Sequence, residues 1–194
     1  MTDTSILIVG VGGQGVLTAA MFLGAAGDIA GIPVRIGQLH GMSQRGGCVE
    51  STVLLGSEKS PFLPPRGADI VIALEPMELL RAASSLHSGT RVLVSSSEIV
   101  PATARSLPYP DTAMILEGLR ARVRELVVFD GRTCTAESGC PRAVNTLSIG
   151  LVASQGWLPF PADAIERAIE LHSNDSHLST HRLAFEAGRR LHTS

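Results

Sequence analysis

With 194 residues the chain is long enough for one domain with its own core and short for two. Hydrophobic residues make up 44% but aromatics only 4%, and glycine occurs 20 times, which suits an α/β domain with close helix–sheet packing rather than an aromatic-lined binding module. A net charge of −2 with scattered basic residues speaks against a nucleic-acid surface; three dispersed cysteines, Cys48, Cys134 and Cys140, exclude a disulfide scaffold and a C-x2-C-x2-C cluster run, and point to a reducing, cytoplasmic setting.

The chain opens on an uncharged run. Ile6, Leu7, Ile8 and Val9 lead without polar alternation into Gly10-Val11-Gly12-Gly13-Gln14-Gly15, and Leu17 to Ala26 follows, rich in Gly, Ala and Leu. That pattern predicts a strand buried on both faces of a parallel sheet, a tight turn, and a helix. Asp3 precedes the run, no Lys or Arg does, and glycines recur within it, which argues against a signal peptide or a membrane span. Gly10-x-Gly12-x-x-Gly15 fits the dinucleotide fingerprint, and unpaired amides at the helix start make the turn a seat for a phosphate or another anion. The fingerprint lacks its second half, an acid about 20 residues on that holds ribose hydroxyls. The second strand, Pro33 to Gly37, is followed by Gln38, Leu39 and His40, with no acid until Glu50. The glycines could equally serve only a close strand-to-helix crossing.

Gln38 to Gly47 has no apolar period and reads as a loop. It holds His40, Gly41, Met42, Ser43, Gln44, Arg45, Gly46 and Gly47, the mixture in which binding or subunit contact tends to reside. Cys48 to Leu55 is a strand too close to the second for a crossover helix, so it runs antiparallel to a neighbour and makes the sheet mixed. A proline-rich loop follows, Lys59 to Gly67. Asp69 to Leu74 is a second fully apolar strand, ending at Glu75-Pro76, where a helix to Leu86 begins. Glu75 thus sits at the carboxyl edge of a parallel strand, as a ligand-facing acid or a helix cap. Arg91 to Ser95 is the next strand, with Ser95, Ser96 and Ser97 at the same kind of edge. Pro101 to Pro110 is irregular, Thr112 to Arg124 a helix, Leu126 to Phe129 a strand. Ala136 to Ser154 is a helix bent near Pro141, with Asn145 polar among apolar neighbours and placed to hold a neighbouring backbone or to face a partner chain. Two amphipathic helices, Pro161 to His172 and His177 to Leu191, close a single domain of βα units with a hairpin insertion.

Self-contained chemistry is not evident. His177 and His181 are four apart but no third ligand accompanies them, so they read as exposed histidines on a polar face. There is no Gly-x-Ser-x-Gly elbow and no P-loop lysine; Lys59 is the sole lysine. Arg45 and the glycine pair before Cys48 would lower its pKa, yet a thiol without an evident base is usually inert.

Three segments in order, Gly10-Val-Gly-Gly-Gln-Gly-Val16, His40-Gly-Met-Ser-Gln-Arg-Gly-Gly47 and Asp69-Ile-Val-Ile-Ala-Leu-Glu-Pro76, with the later Asn145-Thr-Leu-Ser-Ile-Gly150, resemble the gamma-type subunit of 2-oxoacid:ferredoxin oxidoreductases, and within it the small (beta) subunit of the indolepyruvate enzymes. The resemblance covers nearly the whole chain; the Gly-Met-Ser-Gln-Arg-Gly-Gly segment is its specific part. It implies a three-layer α/β/α Rossmann-like domain with a mostly parallel, mixed sheet, and oxidative decarboxylation of a 2-oxoacid to acyl-coenzyme A. Thiamine diphosphate, Mg2+ and Fe–S clusters would lie on a large partner subunit, coenzyme A would be co-substrate and ferredoxin the acceptor. This chain would hold no metal, carry no catalytic residue of its own, be inactive alone, join a homo- or hetero-oligomer, and touch neither membrane nor nucleic acid. Gly10 to Gly15, His40 to Gly47, Glu75 and Asn145 are the expected cofactor-binding or interface residues. The contrasting expectation is a stand-alone Rossmann-like nucleotide- or coenzyme A-binding protein or dehydrogenase.

Overall fold

A computed structural model describes residues 3–40, 47–57, 59–99, 109–140 and 142–191. Among them one six-stranded sheet is built from β1 (Thr4–Val11), β2 (Val34–His40), β3 (Cys48–Leu55), β4 (Ile70–Ala73), β5 (Arg91–Ser95) and β6 (Glu125–Phe129), in the order β2-β3-β1-β4-β5-β6. β1, β4, β5 and β6 pair in parallel, while β3 is antiparallel to both of its neighbours. The sheet is therefore mixed and mostly parallel.

The apolar strands have no polar alternation because both faces are covered. Ile6 and Ile8 point into one core with Ile70, Ile72 and Leu93; Leu7 and Val9 point into the other with Val71, Val92 and Val94. On the first face lie α1 (Val16–Ile29), α5 (Val144–Ser154), α6 (Ala162–His172) and α7 (Asp175–Arg190). On the second lie α2 (Pro76–Arg81), continued by a 3-10 turn at Ala82–Ser85, and α3 (Thr112–Arg120). Each fully buried Ile or Leu contributes about 1.5–3 kcal/mol, so the two cores hold the three layers together.

Helix α5 is buried at every position from Asn145 to Val152, as a helix apolar all round should be. Its backbone touches that of α7. A Cβ on Gly150 would lie 2.2 Å from the Phe185 carbonyl oxygen, and one on Gly188 2.0 Å from that of Leu147. Only glycine at both positions permits this approach.

Several expectations need correction. β2 runs on to His40, so Gln38, Leu39 and His40 belong to a strand. The helix expected to reach Arg124 ends at Arg120; the chain must turn there because Arg124 N–H already donates to the Thr90 carbonyl, leading into β6. The single bent helix expected from Ala136 to Ser154 is two, α4 (Gly131–Glu137) and α5. Asp130 caps the first from its side chain, and Gly139 leaves it at a φ of 72° that breaks the helix.

Candidate functional site

The carboxyl ends of β1, β2, β4, β5 and β6 share one edge of the sheet. Because β3 is antiparallel, its start is there too: Cys48 lies opposite Val11, and the Gly12 N–H donates to the Gly47 carbonyl at 2.9 Å. Residues 40 and 47, which bound the Gly-Met-Ser-Gln-Arg-Gly segment, thus both stand at this rim. Gly41, Met42, Ser43, Gln44, Arg45 and Gly46 lie outside the described residues, as does the side chain of His40.

The glycine turn after β1 is closed by one side chain. Gln14 Oε1 accepts the Val11 N–H at 2.7 Å, and Gln14 Nε2 donates to the Leu74 carbonyl at 2.8 Å, tying the turn to the end of β4. A Cβ at Gly10 would lie 2.9 Å from Gln14 Oε1 and 3.2 Å from Leu74 Cβ, so the small residue admits the clamp. Gly15, left-handed at φ 80°, stands before α1, and Asn145 Nδ2 donates to its carbonyl at 3.1 Å. Asn145 is buried and holds the turn from α5. No side chain caps α1 and no acid lies in its first turn, and an apolar cavity of about 320 Å³ opens before it between Gly12, Gly13, Leu17 and Val49.

This arrangement departs from a dinucleotide-binding unit in two ways. There the second strand lies directly beside the first, and the cofactor spans the point where the chain turns from one half of the sheet to the other. Here β3 takes that place, displacing the end of β2 by a further strand, to roughly 10 Å from β1. The switch point between β1 and β4 is bridged by Gln14.

Beyond the bridge, a crevice of about 290 Å³ runs along the ends of β4, β5 and β6 to the start of α5. Its wall carries Ser95, Ser97, Arg132, Thr135 and Arg142, with Leu74, Ile99 and Val144 as the apolar part. Ser97 Oγ donates to Asp130 and accepts the Arg132 N–H at 2.8 Å. Asp130 also accepts from the Thr133 hydroxyl and amide, bonds that hold its carboxyl below the usual range. Of the expected site residues, Gly13 and Gln14 reach this crevice. The others on its wall come from separate elements. Ser95 and Ser97 carry a local signal as the end of an apolar strand, and the Asp130-Gly131 pair following a strand signals a helix cap; Arg142 has none.

Glu75 caps α2. One carboxylate oxygen accepts the Met77 and Glu78 N–H groups at 2.7 and 3.1 Å, the other the Ile99 N–H at 3.2 Å and the Tyr109 hydroxyl. It is 1% exposed and both oxygens are engaged within the chain. Burial, with this carboxylate beside it, pushes the Tyr109 phenol up. Cys48 reverses the expectation of a lowered pKa: burial, then the facing Glu78 carboxylate, pushes the thiol up to about 12. Glu78 Oε2 is buried without a hydrogen-bond partner among the described residues, while its Oε1 lies 3.5 Å from Arg81 Nε. The histidines also differ from expectation. His177 is exposed, but His181 is half-buried, with Nδ1 2.8 Å from the Thr146 hydroxyl and its ring edge-on to Phe22. Among the described residues no three His, Cys, Asp or Glu side chains converge as a metal site, and no helix is long and apolar enough to cross a membrane.

A family model described as pyruvate ferredoxin/flavodoxin oxidoreductase matches residues 5–191. An indolepyruvate oxidoreductase subunit IorB of Archaeoglobus fulgidus is 36% identical over 167 residues, covering 85% of this chain and 83% of that one. Among solved structures, the gamma subunit of a keto/oxoacid ferredoxin oxidoreductase from Geobacter sulfurreducens superposes with a TM-score of 0.72 at 21% identity, covering 97% of this chain and 95% of that one. A 2-oxoglutarate:ferredoxin oxidoreductase from Magnetococcus marinus, with 2-oxoglutarate, coenzyme A and succinyl-CoA bound, gives a TM-score of 0.73 at 19% identity; the match spans 97% of this chain but 31% of that one.

Proposed function

We propose, from the premise that this chain belongs to the pyruvate ferredoxin/flavodoxin oxidoreductase family, that it is the small subunit of an indolepyruvate-type 2-oxoacid:ferredoxin oxidoreductase. The observation that carries the reading is the match to a relative of similar length that is itself named as a subunit. The same fold recurring as under a third of a longer oxidoreductase chain supports a role within a larger assembly.

The residues of this chain do not fit the redox groups of such an enzyme. Cys48 is on β3, Cys134 on α4 and Cys140 in the connection to α5; all three thiols are pushed up by burial, and a cluster needs thiolates. The edge carboxylate best placed to face a ligand, Glu75, is engaged in capping. Thiamine diphosphate with Mg2+ for decarboxylation and Fe–S clusters for electron transfer to ferredoxin are therefore assigned to the large subunit, in a cytoplasmic complex that also takes coenzyme A.

The chain's own contribution is a rigid rim. The turn from Gly10 to Gly15 is held by Gln14 from within and by Asn145 from α5, so its amides are preorganised. Together with the segment from His40 to Gly47, it would complete a site with the large subunit. In that segment Arg45 offers a planar fork suited to a carboxylate or phosphate, and His40 and Gln44 offer hydrogen bonds across the interface. The lone chain should be inactive. The test mixes the purified chain with indolepyruvate, coenzyme A, thiamine diphosphate, Mg2+ and an acceptor dye, with and without the large subunit. Turnover should need both chains; turnover by this chain alone defeats the subunit reading. A stand-alone dehydrogenase is disfavoured by the bridged switch point and the displaced second strand.

A further inference from the structure

We propose that the crevice at the ends of β4, β5 and β6 is a binding site for a phosphate-bearing organic anion of nucleotide size or smaller, held by Arg132 and Arg142. The site adjoins the rim assigned above to subunit contact, meeting it at Gly13 and Gln14, and it does not depend on the assembly reading.

Charge is the first argument. Among the described residues, the wall of the crevice carries two guanidinium groups and no carboxylate. Arg142 makes no hydrogen bond or ion pair with any described residue, and among those residues the guanidinium of Arg132 reaches only the Glu98 backbone carbonyl, at a long 3.5 Å. The neighbouring acids are engaged elsewhere: Asp130 by Thr133, Ser97 and the Arg132 amide, Glu75 by its cap and Tyr109, and Glu98 by the Thr112 hydroxyl. Two arginine forks facing one hollow, with neither guanidinium ion-paired to a described carboxylate, are suited to phosphate, which takes them bidentately.

The floor gives a second, independent argument. Ser95 is fully buried, and its Oγ accepts the Ser97 N–H at 3.2 Å while its own proton goes to no described residue. A buried hydroxyl on a cavity wall with a donor to spare wants an acceptor there. The N-terminus of α5 opens beside it, with no side-chain cap and no acid in its first turn. A Cβ at Gly131 would lie 2.5 Å from Ser95 Oγ, so the floor assembles only around glycine.

The shape limits what enters. About 290 Å³ is at the small end of ligand cavities, and Leu74, Ile99 and Val144 give one side of it an apolar surface that a bare inorganic ion would leave uncovered. The place is the carboxyl edge where open α/β sheets take ligands, one strand beyond the bridged switch point.

The test is calorimetric titration of the full chain, without partner, using ADP, coenzyme A, NAD+ and inorganic pyrophosphate separately at low and moderate salt. Saturable one-to-one binding of ADP, coenzyme A or NAD+ is expected, with R132Q/R142Q weakening it at least tenfold and leaving the melting temperature within about two degrees. The identity of the tightest probe separates a free nucleotide from the nucleotide end of a larger cofactor. Binding of pyrophosphate as tight as that of every organic probe overturns the organic part of the assignment. Absence of saturable binding at millimolar probe, or affinities that R132Q/R142Q leaves unchanged, overturns the site. None of these results bears on whether turnover needs the large subunit.

Discussion

The Gln14 clamp can be broken in two ways that separate its hydrogen bonds from its bulk. Gln14→Ala removes both bonds, to the Val11 N–H and to the Leu74 carbonyl. Each bond is worth about 1 kcal/mol net, and a stranded partner costs more where water cannot reach it. Because Gln14 is only half-buried, water replaces part of what is lost, and a total of about 2 kcal/mol follows. Gln14→Glu is the sharper probe. One carboxylate oxygen still accepts from Val11, but the other confronts the Leu74 carbonyl, and only the protonated acid can donate to it. The folded state should therefore hold this proton more tightly than the unfolded chain, whose Glu titrates near 4.3. The sign follows: the stability gained from the protonated form is present below that pH and is lost as pH rises through the elevated folded pKa. Urea unfolding of wild type and both variants at pH 4.5 and 7.5 is the assay. Gln14→Glu should trail wild type by about 2 kcal/mol or more at pH 7.5, with the gap narrowing at pH 4.5, while the Gln14→Ala deficit stays nearly level. A constant gap for both variants, or a deficit below about 0.5 kcal/mol, would refute the clamp.

Two further outcomes are expected. Gly150→Ala places a methyl carbon 2.2 Å from the Phe185 carbonyl oxygen, so the gain in helix propensity of about 1 kcal/mol is outweighed by separation of α5 from α7; thermal melting should fall by several degrees, and an unchanged or higher melting point contradicts the backbone contact. Burial, and then the charge of His177, holds the His181 imidazole below its usual pKa, so the unfolded state takes up the proton first and stability falls as pH drops below about 6.5. His181→Gln should flatten the stability profile between pH 7 and 5 relative to wild type, and parallel profiles would sink that account.

What was legible in the sequence was what local pattern encodes. The bounds of β3 and β5 follow from their apolar runs, and the antiparallel direction of β3 follows from the short connection before it. Strand order does not show in periodicity. Nothing in Cys48 to Leu55 says that it wedges between β1 and β2, and that wedge explains why an acid sought near the end of the second strand has no place to act. Gln38 to His40 looked like loop because its polar residues mask an edge strand. The crevice was legible only in part: Ser95 and Ser97 stand at a strand end, but Arg132, on α4, precedes the single helix expected from Ala136, and Arg142 lies in the turn between α4 and α5. Asn145 was visible as a misfit in an apolar helix, whereas the Thr146–His181 contact joins helices 35 residues apart and leaves no local trace.

The reversed direction of β3 has a bearing on how such a chain can change. Insertions or deletions between residues 40 and 47 are anchored by β2 and β3 at fixed posts on the sheet. Their length can vary without shifting any strand register, so the scaffold and the surface offered to other molecules are free to diverge at different speeds.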